Sequence, residues 1–221
     1  IRDVLVSILV SPHFCFRTVP PPKNLSTVDA ASPPLDAYGL ASRLSYFLWS
    51  SMPDEELRTL ADDGRLLDAN VLQQQMKRML PDPKSRGLAV EFGGHWLGFH
   101  AFLKHQGVVR SRFPQFDDSL RSSMFEEPVR LFGDVIRNDR QVLDLIFGND
   151  TFVNAALAKH YDMPFPDSTD GDTWIKISDA GRYGRGGLLP MAVFMTQHSP
   201  GLRTSPVKRG YWVVKDLLGT T

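Results

Sequence analysis

Apolar residues recur along this chain at helical spacing, and their densest run lies between Leu35 and Ala61. Leu40, Leu44, Phe47 and Leu48 fall on one helical face. Ala37, Ala41, Tyr46 and Trp49 widen that face until only Ser42, Arg43 and Ser45 interrupt it. A helix apolar nearly all round is a buried one, so Leu40, Leu44, Phe47, Leu48 and Trp49 are expected in the core. A corner follows at Ser50 to Asp54, where Pro53 suits a first helical position and the acids behind it suit the positive end of the next helix. Arg43 stands among apolar neighbours, so it has to snorkel or meet a carboxylate. Glu126 or Glu127 is the expected partner, and Arg43 with Glu126 the expected structural ion pair.

The same reading extends in both directions. Ile1 to Ser11 is an apolar helix that ends before Pro12. Val19 to Ser32, with its three consecutive prolines, is an extended linker. Gly64 closes the helix from Asp54 to Asp62. Asp68 caps a helix over 69–80, and Asp82-Pro83 opens another that runs to about Gly98. Gly93-Gly94 inside it costs about 1 kcal/mol per glycine relative to alanine, so close contact or a kink is expected there. A long helix spans 116–138, and Pro128 within it should kink or divide it. Short helices follow at 142–148 and, capped by Asn154, to Tyr161. The loop 164–183 has strand character only at Trp174 to Ile177, and the last helices cover 188–197 and 206–218. No repeat is present, and no strand pattern is long enough to build a sheet. The fold class is all-α, an irregular multi-helix bundle with long loops. Three parts are expected: residues 1–33, a helix and linker; 34–165, the main helical domain; and 166–221, a loop and a helical pair packed on it.

Composition narrows the function classes. The 221 residues are 42% apolar, enough for a sizeable core. Lys plus Arg and Asp plus Glu each total 25, and this zero balance argues against a general nucleic-acid or membrane-surface role. No run of about 18 apolar residues offers a membrane span. The chain opens on Ile1 and stops at Thr221 directly after a helix, so it is expected to be a segment of something longer. Cys15 is the single cysteine, which excludes an internal disulfide and a Cys-x-x-Cys-His haem attachment. No cofactor is therefore expected within the chain.

LSYFLWSSMPDEEL, from Leu44, resembles the signature of a family of unknown-function domains abundant in planctomycete bacteria. Four later stretches resemble the same family: MLPDPKSRGLAVEFGGHWLG from Met79, LDLIFGNDTFVNAALAKHYDM from Leu143, RGGLLPMAVFMTQHS from Arg185 and RTSPVKRGYWVVKDLLGT from Arg203. In such proteins the domain sits in long exported chains beside cytochrome-c-like, haem-attaching segments. The resemblance implies an exported or periplasmic location, neighbouring domains of the same polypeptide as partners, and haem c in one of those neighbours. It implies no activity.

The chemistry left to the chain is sparse. Arg203-Thr204-Ser205-Pro206-Val207-Lys208-Arg209 is the strongest candidate. Ser205 is a natural N-cap and Pro206 a natural first helical residue, so Lys208 and Arg209 face the positive end of the macrodipole. A bound anion would compensate, which makes Arg203, Ser205, Lys208 and Arg209 the expected anion site. Internal acids such as Glu126, Glu127 or Asp54 are the alternative compensation. Arg182 and Arg185, in a glycine-rich turn that matches neither a P-loop nor a dinucleotide fingerprint, could join that site. Of the six histidines, His95 and His160 read as half-buried and His100 and His105 as solvated, so no metal ligand set is expected. His198-Ser199 has no partner acid and no nucleophile elbow. Three functions stay open: a non-catalytic interaction or scaffold module, an enzyme domain acting on a sulfated or carboxylated substrate at 203–209, and a haem-contacting electron-transfer domain.

Overall fold

The computed structural model describes residues 1–15, 35–167, 169–199 and 201–220; the linker expected between Val19 and Ser32 lies outside them. The architecture is all-α, with one short β-ribbon. The chain divides into two units, Ile1–Tyr46 with Ser51–Gln75, and Phe47–Ser50 with Met76–Thr221. No helix among the described residues is long and apolar enough to cross a membrane.

The first unit holds α1 (Arg2–Val10), α2 (Pro12–Cys15), most of α3 (Ala37–Trp49), α4 (Glu55–Asp62), a 3-10 turn at Arg65–Leu67 and the body of α5 (Ala69–Met79). Its helix starts are set by side chains. Asp54 accepts the Leu57 amide at 3.0 Å, with Glu55 and Glu56 behind it at the positive end of α4. Asp68 accepts from Asn70 and Val71 at the start of α5. Gly64 takes the left-handed conformation (φ 70°) that turns the chain between them. Leu57, Ala61 and Leu66 are among its buried residues, whereas α1 buries none.

Leu48 and Trp49 are buried as expected, but the rest of the face that α3 buries is not the expected one. Its buried line runs Ala37, Ala41, Ser45 and Leu48, with Trp49 beside it. Leu40 and Leu44 are half-buried, and Phe47 and Arg43 are exposed. Ser45 can occupy the buried line because its hydroxyl donates to the Ser51 carbonyl at 2.9 Å. Arg43, for which a carboxylate partner is expected, is exposed, and within the second unit Glu126 pairs with Arg86 and, at 3.1 Å, with Arg130.

In the second unit Trp49 is buried and donates its Nε1–H to the Met79 carbonyl at 3.0 Å. Asp82 caps a 3-10 turn at Pro83–Ser85, which leads into a π-helical turn at Leu88–Gly93 and then α6 (Gly94–Trp96). A Cβ on Gly93 would stand 3.4 Å from the Phe132 ring, an ordinary contact, and one on Gly94 would stand 3.3 Å from the His100 Cβ, so of the pair it is Gly94 that marks the closer approach. After a 3-10 turn at Phe102–Lys104 comes α7 (Asp118–Arg137), capped by Asp117 at the Leu120 amide. Met124, Leu131, Phe132 and Val135 bury its inner side, and Pro128 sits inside the helix without dividing it.

Then follow α8 (Asp144–Phe147), β1 (Thr151–Val153), α9 (Ala155–His160) capped by Asn154, and β2 (Ile175–Ile177). The two strands are antiparallel, Thr151 opposite Ile177 and Val153 opposite Ile175. Arg140 ties this region together: it binds Asp150 through two hydrogen bonds, at 2.6 and 3.0 Å, and reaches Asp134 and Asp144. After a 3-10 turn at Ala180–Tyr183, α10 (Ala192–Gln197) and α11 (Pro206–Trp212) complete the chain, the latter running into a π-helical turn at Val213–Leu217. Trp212 stacks on Phe194 at 4.5 Å and donates to the Leu97 carbonyl at 2.9 Å.

Candidate functional site

A pocket of about 420 Å³ opens in the second unit. The first half of α7 supplies Leu120 and Met124, and the connection before it supplies Val108, Phe113 and Phe116. His160 comes from the end of α9, Met195 and Thr196 from α10, and Ser199 from the turn after it. Arg185, Arg203 and Arg209 bring three guanidinium groups from the glycine-rich turn, the loop before α11 and α11 itself. No Asp or Glu among the described residues lines it. Gly201 makes the closure feasible: a Cβ there would stand 2.5 Å from the Gly107 carbonyl oxygen, so only glycine lets these two loops touch.

The expected anion site is thus brought together in part. Arg203 and Arg209 line the pocket, and Arg185 joins them. Ser205 works as the N-cap of α11, its Oγ accepting the Lys208 amide at 3.4 Å. Lys208 is exposed, and neither it nor Ser205 lines the pocket. Among the described residues Arg203, Lys208 and Arg209 make no ion pair. The acids considered as internal compensation are occupied elsewhere: Glu126 by two arginines, Asp54 by the α4 cap, and Glu127 in a buried cluster.

Two of the arginines are held in place by neutral groups. Arg209 directs Nη1 at the Met195 sulfur, 3.3 Å away. Arg185 donates Nη1 to the Pro190 carbonyl, and its guanidinium lies 4.0 Å from the centre of the Tyr161 ring. Its Nε is buried without a partner. Beside it, desolvation and the Arg185 charge lower the pKa of His160, so that imidazole is neutral at neutral pH.

Beneath this wall lies the unit's most unusual acid. Glu127 is fully buried and accepts from the Thr151 hydroxyl at 2.6 Å and the Tyr161 hydroxyl at 2.5 Å. Burial pushes its carboxyl up to about 7, opposed by the two hydroxyls and by Arg185. The Tyr161 oxygen in turn accepts the Ala192 amide at 2.8 Å, and burial raises its pKa well above the usual value.

One group among the described residues has the composition of a metal site: Glu91, His95 and His100, with ligand atoms within 4.8 Å of one another. The histidines read singly in the sequence. The signal that joins two of the three residues is the i,i+4 spacing of Glu91 and His95 on a helical segment.

From residue 35 to residue 163 the chain matches the family model PSD4, described as a protein of unknown function (DUF1592). Residues 185–221 match PSCyt3, likewise described as a protein of unknown function (DUF1588). No curated protein and no solved structure matches the chain.

Proposed function

For a chain that belongs to the PSD4 family of proteins of unknown function, we propose the role of a ligand-binding interaction module within a larger exported protein, taking a small organic anion in the pocket beside α7. One observation carries this reading: Arg185, Arg203 and Arg209 converge on an apolar-walled pocket that no described acid lines. Guanidinium groups without a carboxylate partner favour an incoming anion, and their planar fork suits a carboxylate bound through two hydrogen bonds. Phe113, Phe116, Leu120 and Met124 give the other side of the pocket an apolar surface, which suits an aromatic or aliphatic body on that anion. Ser199, Thr196 and the neutral His160 supply hydrogen bonds between the two. The volume is in the range of small-molecule sites, roughly 300–1,000 Å³. The family names PSD4 and PSCyt3 support a cytochrome-c-associated setting, with the module beside a haem-c-bearing domain of the same polypeptide.

The test is calorimetric titration with benzoate, acetate, sulfate and benzyl alcohol at matched ionic strength. Benzoate should bind best, because it alone combines a carboxylate with an apolar ring. Arg203→Ala with Arg209→Ala should lower its affinity at least tenfold without changing the weak response to benzyl alcohol. Equal benzoate affinity in the double variant would falsify the proposal.

A further inference from the structure

From the placement of Glu91, His95 and His100 we infer a surface site for a first-row divalent transition-metal ion, of the zinc, nickel or copper type. None of the three residues lines the anion pocket, so this inference does not depend on it. Glu91 lies within the π-helical turn and His95 in α6, four residues on and about one turn away. Gly98, at φ 79°, then reverses the chain, and the His100 amide donates back to the Gly94 carbonyl at 3.0 Å. Gly94 allows that return, since a Cβ on it would stand 3.3 Å from the His100 Cβ. The two imidazoles end stacked, with ring centres 3.9 Å apart.

The donor geometry suits a metal. His100 Nε2 lies 3.4 Å from a Glu91 carboxylate oxygen, and each of the three residues offers a donor atom within 4.8 Å of the other two. In a tetrahedral site with bonds of about 2.0–2.1 Å, neighbouring ligand atoms stand about 3.4 Å apart. The His100–Glu91 separation already matches, and exposed side chains reach the rest by small rotations. His95 Nδ1 is also 2.7 Å from the Glu91 carbonyl oxygen, which only accepts. The proton therefore sits on Nδ1, leaving Nε2 as the basic nitrogen, and the carbonyl fixes the ring as a hydrogen-bond partner usually does for a ligating histidine. Two imidazoles and one carboxylate select borderline transition ions over Mg²⁺ or Ca²⁺, which prefer oxygen. Three protein ligands leave at least one position for water or for a group from a partner.

Titration of the metal-free protein with ZnCl₂, in a Cys15→Ser background to remove the exposed thiol, tests the site. One equivalent should bind, with MgCl₂ giving no heat. Glu91→Gln and His100→Ala should each weaken Zn²⁺ binding at least tenfold, whereas His160→Ala should leave it unchanged. Gly94→Ala, which displaces His100, should weaken it as well. Thermal unfolding followed by circular dichroism verifies that the variants are folded. With Cu²⁺ as the probe, the paramagnetic resonance signal should carry two nitrogen couplings, and one in His100→Ala. Absence of saturable one-to-one binding, equal Zn²⁺ affinity in Glu91→Gln and His100→Ala, or a Cu²⁺ spectrum without two nitrogens would each overturn the inference.

Discussion

Glu127→Gln offers the sharpest probe of the buried cluster beneath the pocket. The native carboxyl has no exposed surface, and its pKa rises from the ordinary 4.5 to about 7. Below pH 4.5 both the folded and the unfolded chain hold the proton. Between 4.5 and 7 the unfolded chain releases it while the folded one keeps it. The stability this group contributes is therefore fully present at low pH and is lost as pH rises through about 7. The interval corresponds to about 3 kcal/mol, at about 1.4 kcal/mol per pH unit. Urea unfolding at pH 5 and pH 8 measures it. Tryptophan fluorescence is the appropriate signal, because Trp49, Trp96, Trp174 and Trp212 all belong to the second unit. His160, whose lowered pKa makes stability fall toward acid, acts with the opposite sign. It is present in both proteins, so it cancels when wild type is compared with variant. Relative to Glu127→Gln, wild type should lose about 3 kcal/mol between pH 5 and pH 8. A difference between the two proteins that stays constant within about 1 kcal/mol across that range refutes the assignment.

Other perturbations follow from the same packing. Trp49→Ala removes a buried ring and strands the Met79 carbonyl, so it should cost about 3–5 kcal/mol in urea unfolding. Gly87→Ala would put a Cβ 2.8 Å from the Trp49 carbonyl oxygen, a backbone atom that cannot swing away, and should cost about 1–3 kcal/mol in the same assay. Arg140→Met leaves Lys176 as the described cation on Asp134 and Asp150 and should cost roughly 2 kcal/mol, less than a fully buried pair because Lys176 stays. Burial pushes the Asp150 carboxyl up, but Arg140 and Lys176 outweigh it and hold the group down to about 2, so the stability it supplies is present above its ordinary 3.8 and lost as pH falls toward 2. Acid titration followed by circular dichroism should accordingly show Arg140→Met unfolding at a higher pH than wild type.

Helix boundaries were legible in the sequence wherever local chemistry sets them. Asp68, Asn154 and Ser205 each cap the helix they precede as expected, because a short oxygen-bearing side chain next to free amides needs no distant partner, whereas Pro53, expected as a first helical residue, lies outside α4 and Asp54 is its cap. The rotation of α3 was not legible. A helix apolar on most sides has no strongly preferred face, so its surroundings decide, and they chose Ser45 over Phe47. Of the two outcomes expected at Pro128, division does not occur: the buried contacts of Leu131, Phe132 and Val135 keep the helix going despite a missing donor. At three residues, β1 is too short for alternation to announce it. In the pocket, Arg203 and Arg209 were legible from the chemistry of a helix start, and Arg185 from its glycine-rich turn. His160 and the walls at Phe113 and Phe116 come from segments far apart in the chain, which spacing cannot connect. The Glu91–His95 pair lay within reach of spacing, but His100 depends on the reversal at Gly98.

The buried polar cluster acquires a reason when it is taken together with the pocket. Removing a carboxyl, a phenol and a threonine hydroxyl from water is expensive, and an apolar floor would join α7, α9 and α10 more cheaply. An apolar floor would not, however, orient Arg185. That side chain lies between the Pro190 carbonyl and the face of the Tyr161 ring. The ring is fixed in turn by its hydroxyl, which donates to Glu127 and accepts from Ala192. A free arginine loses about 2 kcal/mol of rotamer entropy when a ligand immobilises it. An arginine already immobilised by the core does not incur that loss at binding, so more of each contact appears as affinity. On the proposed reading, the polar core beneath the pocket sacrifices some stability of the fold to hold one guanidinium ready for an anion.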